Sequence, residues 1–177
     1  MPNKINLKKS LGQHFLKEEK VISAILESEN QTLKDLVLEI GPGEGILTSE
    51  LLAFSGKVIS VEKDGRLIPI LEEKFKEEIK SGKFELIHKD ILEFDLKALN
   101  IDGKSYKVIA NIPYYITGQI LRMFLESKIQ PKSMTLLVQK EVAERIVARD
   151  GKESLLSLSV KAFGTPMYVR TVGRGAF

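Results

Sequence analysis

Short apolar runs alternate with longer amphipathic stretches along this chain, and the alternation predicts its elements. Leu36-Val37-Leu38-Glu39-Ile40 is apolar at four of five positions, and comparable runs lie at 57–61, 84–88, 108–110 and 133–139. Runs of this length, rich in Val, Ile and Leu, suit strands buried on both faces of a parallel sheet. Between them the spacing becomes helical. Residues 18–29 place Val21, Ile22, Ile25 and Leu26 on one face, and a helix over 44–54 follows the first strand. Residues 66–80 set Leu67, Ile70, Leu71, Phe75 and Ile79 against a charged outer face. Residues 140–149 turn Val142, Ile146 and Val147 inward, 155–163 form a further helix, and 167–172 read as a strand at the sheet edge. Strand and helix alternating in this way predict a doubly wound α/β domain whose parallel strands all deliver their carboxyl ends to one edge.

The first of those carboxyl ends carries Gly41, Gly43 and Gly45 at alternate positions. Glycine is needed there because a side chain would hold a ligand off the backbone, and because such turns often require φ > 0. The spacing is G-x-G-x-G, whereas dinucleotide folds use G-x-G-x-x-G, so pyrophosphate binding is disfavoured. The second strand ends in Glu62, placed to accept hydrogen bonds from both ribose hydroxyls of an adenosine-containing cofactor. The third leads to Asp90, whose carboxylate can accept from an adenine amino group. Glycine corner, ribose acid and adenine acid in this order describe a site for S-adenosyl-L-methionine.

The fourth strand delivers Asn111-Ile112-Pro113-Tyr114 to the same edge. Pro113 fixes its own φ and pushes Ile112 out of the helical region, so the Ile112 carbonyl is free to face a pocket. The Asn111 side-chain oxygen and that carbonyl form a pair of acceptors, with Tyr114 as an aromatic platform. Such a pair suits an exocyclic adenine amine, a poor nucleophile whose lone pair is delocalised into its ring. Gripping its two hydrogens favours a pyramidal nitrogen, and orientation of this kind lowers barriers by up to ~7–11 kcal/mol in well-aligned systems. A base stacked in a helix cannot enter, so the substrate base must be flipped out or lie in a loop.

Composition narrows the class further. At 177 residues and 43% hydrophobic content the chain reads as one domain, and no apolar run approaches the ~18 residues of a membrane helix. There is no cysteine and no signal-peptide pattern, so a cytoplasmic home is expected. His14 and His88 are the only histidines and have no partner at ligand spacing, so no metal is expected. Charge is segregated. Residues 1–17 carry four lysines and no acid, 18–121 carry 13 basic and 19 acidic groups, and 122–177 carry 10 basic and 5 acidic groups. Basic ends around an acidic centre suit a polyanionic partner. Residues 1–17 read as a basic arm packed across the cofactor mouth, and 18–177 as the catalytic domain of a monomer.

Together these stretches resemble a known family. Gly12-Gln13-His14-Phe15-Leu16, Glu39-Ile40-Gly41-Pro42-Gly43, Val61-Glu62-Lys63-Asp64, His88-Lys89-Asp90 and Asn111-Ile112-Pro113-Tyr114 are similar to the motifs of the ribosomal RNA adenine dimethylases. The likeness is strongest to the branch that dimethylates two adjacent adenosines near the 3′ end of small-subunit ribosomal RNA, in ribosome biogenesis. It implies a Rossmann-like class I methyltransferase fold with a mostly parallel sheet of the seven-stranded type. It implies cofactor contacts from Gln13, His14, Leu16, Gly41, Gly43, Glu62, Lys63, Asp90, Ile91 and Asn111. It also implies a target-base site of Asn111, Ile112, Pro113, Tyr114 and Phe177. Many members have Asn at the positions of His14 and Tyr115. The family continues past a Gly-Ala-Phe like residues 175–177 into a return strand and a small helical domain that helps grip RNA, so this chain is expected to be the catalytic domain without it.

Three other readings compete. An Erm-type enzyme, acting on an adenosine of large-subunit RNA, shares almost every motif. A non-catalytic RNA-binding assembly module would keep the fold but has no use for Asn111 and Tyr114. A nicotinamide dehydrogenase is opposed by the glycine spacing.

Overall fold

The computed structural model describes residues 19–29, 34–99, 101, 105–112 and 114–173. Five strands form one sheet: β1 (Leu36–Ile40), β2 (Lys57–Glu62), β3 (Phe84–His88), β4 (Tyr106–Asn111) and β5 (Ser133–Leu137). Their order is β3-β2-β1-β4-β5, and all four pairings are parallel. The chain moves outward from β1 to β3, then returns to the other side of β1 for β4 and β5. The reversal between β1 and β4 opens a crevice at their carboxyl ends, which is where such sheets bind ligands. Register fixes its walls. Ile40 lies opposite both Val61 and Ala110, so Gly41 emerges beside Asn111.

Helices cover both faces. On one side lie α1 (Glu19–Glu29), α2 (Ile46–Phe54) and α3 (Ile68–Lys74), and on the other the 3-10 turns Ile91–Glu93 and Leu96–Leu99 with α5 (Thr117–Leu125). Alternate strand residues feed the two cores. Val37, Val58 and Ile109 point to the first, Leu38, Ile59 and Val108 to the second. This period-2 division is why β1, β2 and β4 read as continuous apolar runs. Lys107 is buried in β4 and is tolerated because its ammonium meets Asp35 at 3.1 Å.

Several predicted elements differ from those observed. The helix expected over 66–80 is two, α3 and α4 (Lys76–Lys80), broken at Phe75 with φ −114° and ψ 28°. The Phe75 ring packs edge-on to Phe84 at 5.2 Å, while Ile70 and Ile79 face outward at 43% and 37% exposure. Core contact is therefore carried by Leu67, Leu71 and Phe75 alone. The helix expected from 44 starts at Ile46, because Gly45 takes a left-handed φ of 74°. Helix α6 (Lys140–Val147) stops at a left-handed Ala148, and α7 (Leu155–Lys161) ends two residues early.

Residues 167–172 form no strand. They are anchored through side chains instead: Arg170 Nη1 donates to the Lys20 carbonyl at 2.9 Å, Arg149 lies 4.8 Å from the Tyr168 ring centre, and Val172 packs on the first core. With that run unpaired, the sheet has five strands among the described residues, and the remaining two of a seven-stranded pattern are not seen there. No helix among the described residues is long and apolar enough to cross a membrane.

Candidate functional site

The glycine corner bends as the spacing requires. Gly41, Gly43 and Gly45 have φ of 70°, 59° and 74°, the left-handed region that side chains disfavour. They do different work. A Cβ on Gly45 would stand 2.6 Å from the Phe75 ring and 2.9 Å from Leu71, so this glycine lets α2 and α3 close together. A Cβ on Gly41 would meet only the Asn111 carbonyl at 3.9 Å, which places Gly41 at the crevice itself.

Glu62 ends β2 with 6% of its surface exposed, so it is not a solvated strand-end acid. Its Oε1 accepts from the Asp64 N–H at 2.7 Å and its Oε2 from the Gly43 N–H at 3.3 Å. Burial pushes its pKa up, and those backbone donors oppose the shift. Each carboxylate oxygen keeps a second lone pair for a ligand hydroxyl. One strand further out, Asp90 Oδ1 caps the turn Ile91–Glu93 by accepting from the Leu92 N–H at 3.0 Å, while Oδ2 meets Lys63 Nζ at 2.6 Å. Burial raises the Asp90 pKa, but the Lys63 and Leu92 donors outweigh it and hold the carboxyl below its ordinary value. Ile91 is buried behind the pair.

Asn111 closes β4, half-buried, and Ile112 follows at 2% exposure with its N–H donating to the Leu137 carbonyl at 3.2 Å. That bond ties the residue after the strand to β5 and leaves the Ile112 carbonyl for other partners. Tyr114 begins the 3-10 turn Tyr114–Ile116. The structure thus brings Gly41, Gly43, Glu62 and Asn111 together at the switch point, with Lys63, Asp90 and Ile91 alongside. Gln13, His14, Leu16, Pro113 and Phe177, and the Tyr114 side chain, lie outside the described residues and side chains.

One site residue escaped the sequence argument. Glu39 is 1% exposed; its Oε2 accepts from Thr48 Oγ1 at 2.7 Å and Ser60 Oγ at 2.6 Å, while Oε1 has no partner among the described residues. Burial drives its pKa up to about 7 against those two hydroxyl donors. The available signal was a single acid in a strand otherwise apolar on both faces. A buried acceptor without a partner is costly, and this one sits one residue before the glycine turn's neighbour Ile40. His88 is exposed, and its ring lies 3.0 Å from where a Gly65 Cβ would be, so that glycine leaves room for it. Among the described residues no group of three potential ligands could hold a metal.

A buried acid beneath the turn with one oxygen unpartnered among the described residues, two carboxylates beside it and an open glycine backbone fit an adenosine-bearing cofactor. The likeness to known proteins agrees. A family model described as ribosomal RNA adenine dimethylase matches residues 4–177. The chain belongs to that family. Within the dimethylases, it is 47% identical over 173 residues to the ribosomal RNA small subunit methyltransferase A of Dehalococcoides mccartyi, covering 98% of this chain and 58% of that protein. The Clostridium botulinum protein of the same description is 47% identical over 152 residues, covering 86% of this chain and 54% of its own length. The chain therefore spans little more than half the length of these relatives. Among solved dimethylase-like structures, a dimethyladenosine transferase from Plasmodium falciparum aligns with TM-score 0.70 at 31% identity, covering 84% of this chain and 52% of that one. The 23S rRNA methyltransferase ErmE aligns with TM-score 0.70 at 31% identity, covering 82% and 56%.

Proposed function

We propose that this chain binds S-adenosyl-L-methionine and dimethylates the N6 amines of two adjacent adenosines near the 3′ end of small-subunit ribosomal RNA, in ribosome biogenesis. The observation that carries the reading is the register that sets Gly41 against Asn111 across the switch point, with the Glu62 carboxylate at the next strand end. The names of relatives at 47% identity support the small subunit over the large.

The residues divide the work. Glu62 accepts from the ribose hydroxyls, Asp90 from the adenine amine, and the glycine turn admits the cofactor against bare backbone. Bound there, the cofactor supplies a methyl group already activated on a sulfonium, so no metal or strong base is needed. Asn111 and the Ile112 carbonyl hold the amino hydrogens of the target base and aim its nitrogen lone pair, while Tyr114 supports the ring. The gain is one of orientation. The basic arm at 1–17 and the basic residues after 121 line the RNA path, where phosphate contacts supply affinity without sequence information. The chain acts as a monomer in the cytoplasm, and Phe177 completes the base site.

The test supplies labelled cofactor with isolated ribosomal subunits and analyses the nucleosides by mass spectrometry. The reading expects N6,N6-dimethyladenosine in the small subunit, and Asn111→Ala should lose turnover far more than RNA binding. A large-subunit target, a monomethylated product, or equal losses of turnover and binding would each refute it.

A further inference from the structure

The glycine turn is loose by composition and must be held by its surroundings. Gly41, Gly43 and Gly45 can each adopt more than one region of backbone space, so a turn of this sequence does not fix its own shape. Any ordering left to the moment of binding weakens the affinity for a ligand.

Both holds come from β2 and the helix that follows it. On the N–H side, Glu62 Oε2 accepts from Gly43 at 3.3 Å. On the carbonyl side, the end of α3 closes on Gly45. Leu71 and Phe75 lie 2.9 Å and 2.6 Å from where a Gly45 Cβ would be, and Lys74 Nζ donates to the Glu44 carbonyl at 2.9 Å and the Gly45 carbonyl at 3.0 Å. Residues 71, 74 and 75 share a face by helical spacing, so the ammonium is the polar edge of an apolar contact. It also stands 5.1 Å from the Phe75 ring centre, within reach of a cation–π attraction. By sequence Lys74 belongs to the charged outer face of 66–80; the fold brings its head onto the turn.

The two carbonyls occupy telling places. A peptide is planar, so fixing the Glu44 carbonyl also fixes the Gly45 N–H on the opposite edge. That N–H donates to the Pro42 carbonyl at 2.9 Å, the bond that closes the turn around Gly43. The Gly45 carbonyl accepts the Ser49 N–H at 3.2 Å, which opens α2. Lys74 therefore grips the two peptides that join the turn to its helix.

Resting on the reading of this edge as an adenosine site, we propose that Lys74 is a positioning residue for the cofactor: its ammonium, shared by the Glu44 and Gly45 carbonyls, holds the glycine turn in the shape that the cofactor meets. The turn is then set before binding, with Gly43 kept in register with Glu62.

Titration calorimetry with S-adenosylhomocysteine tests this on the parent protein, on Lys74→Met, which keeps an unbranched stem but loses the donors, and on Lys74→Arg, which keeps charge and donors. Lys74→Met should weaken binding by about three- to tenfold, as expected when charged hydrogen bonds to the turn are lost, and Lys74→Arg should stay within about threefold of the parent. Lys74 is exposed, so the thermal midpoint of Lys74→Met should stay close to the parent's. Hydrogen–deuterium exchange without ligand should quicken at residues 43–46 in Lys74→Met and not in β1, β2 or β4. Unchanged affinity of Lys74→Met overturns the inference alone. So does equal weakening in Lys74→Arg, which would assign the loss to packing of the stem, or quickened exchange throughout the domain, which would make Lys74 a general support of the fold. A parent protein that does not bind S-adenosylhomocysteine overturns the adenosine-site reading as well.

Discussion

The stretch from β1 to α5 and the stretch from β5 to residue 173 are built on opposite terms. In the first, β1, β2 and β4 are buried along nearly their whole length, and α5 sinks Ile120 and Phe124 completely. In the second, β5 is half-buried throughout, and only Ala148 and Ser157 are buried. Helix α7 even turns two of its leucines outward, with Leu155 at 86% and Leu158 at 53% exposure while Ser157 is fully enclosed. The residues proposed for the chemistry that fall among the described ones lie in the first stretch. A site that works by holding a nitrogen in line needs side chains locked by their surroundings, and the two closed cores around β1 and β4 provide that. The second stretch offers surface: bases and open apolar groups that lend themselves to contact with something larger.

Breaking the first stretch should cost most. Phe124→Ala, at a fully buried position, is expected to lower stability by about 3–5 kcal/mol in urea denaturation. Glu39 should write a pH dependence onto the same core. Its carboxyl is protonated in both states below pH 4.5, and above that the unfolded chain ionises first while the native group holds its proton up to about 7. The native state therefore binds the extra proton, and stability is lost as pH rises through this window, by up to roughly 3 kcal/mol. Glu39→Gln should flatten that slope; parallel curves for the two proteins in denaturation from pH 4.5 to 7.5 would show that the acid is not buried as described.

Gly45→Ala comes next. Its Cβ must displace Phe75 from 2.6 Å and adopt a φ of 74°, so a loss of about 1–3 kcal/mol is expected, together with weaker cofactor binding as the turn shifts. The smallest effect belongs to the second stretch. Leu155→Ala should change stability by less than about 0.5 kcal/mol, and a loss near that of Phe124→Ala would erase the contrast.

How much of this was readable from sequence depends on what fixes each feature. The five strands were legible because burial on both faces writes an apolar run directly, and β1 and β3 match the predicted bounds residue for residue. Glu62 and the glycines were legible because strand-end position and left-handed turns select residue types. The break at Phe75 was not, since a continuous helical period hides it; the Phe84 ring and the approach of Gly45 create it from outside the segment. Residues 167–172 alternate like a strand, yet Arg170 and Val172 spend that pattern on α1 and the first core rather than on a ladder. Glu39 was visible as a letter but not as a site, because only the fold shows that Thr48 and Ser60 take one oxygen and nothing described takes the other.

Hydrogen–deuterium exchange with and without S-adenosylhomocysteine bears most directly on the claim that, of these two stretches, only the first holds the cofactor. The account predicts slowed exchange at residues 41–45, 62–65, 90–92 and 111–117, with residues 140–173 unchanged. Protection spread over 140–173, or none at the glycine corner, would contradict it.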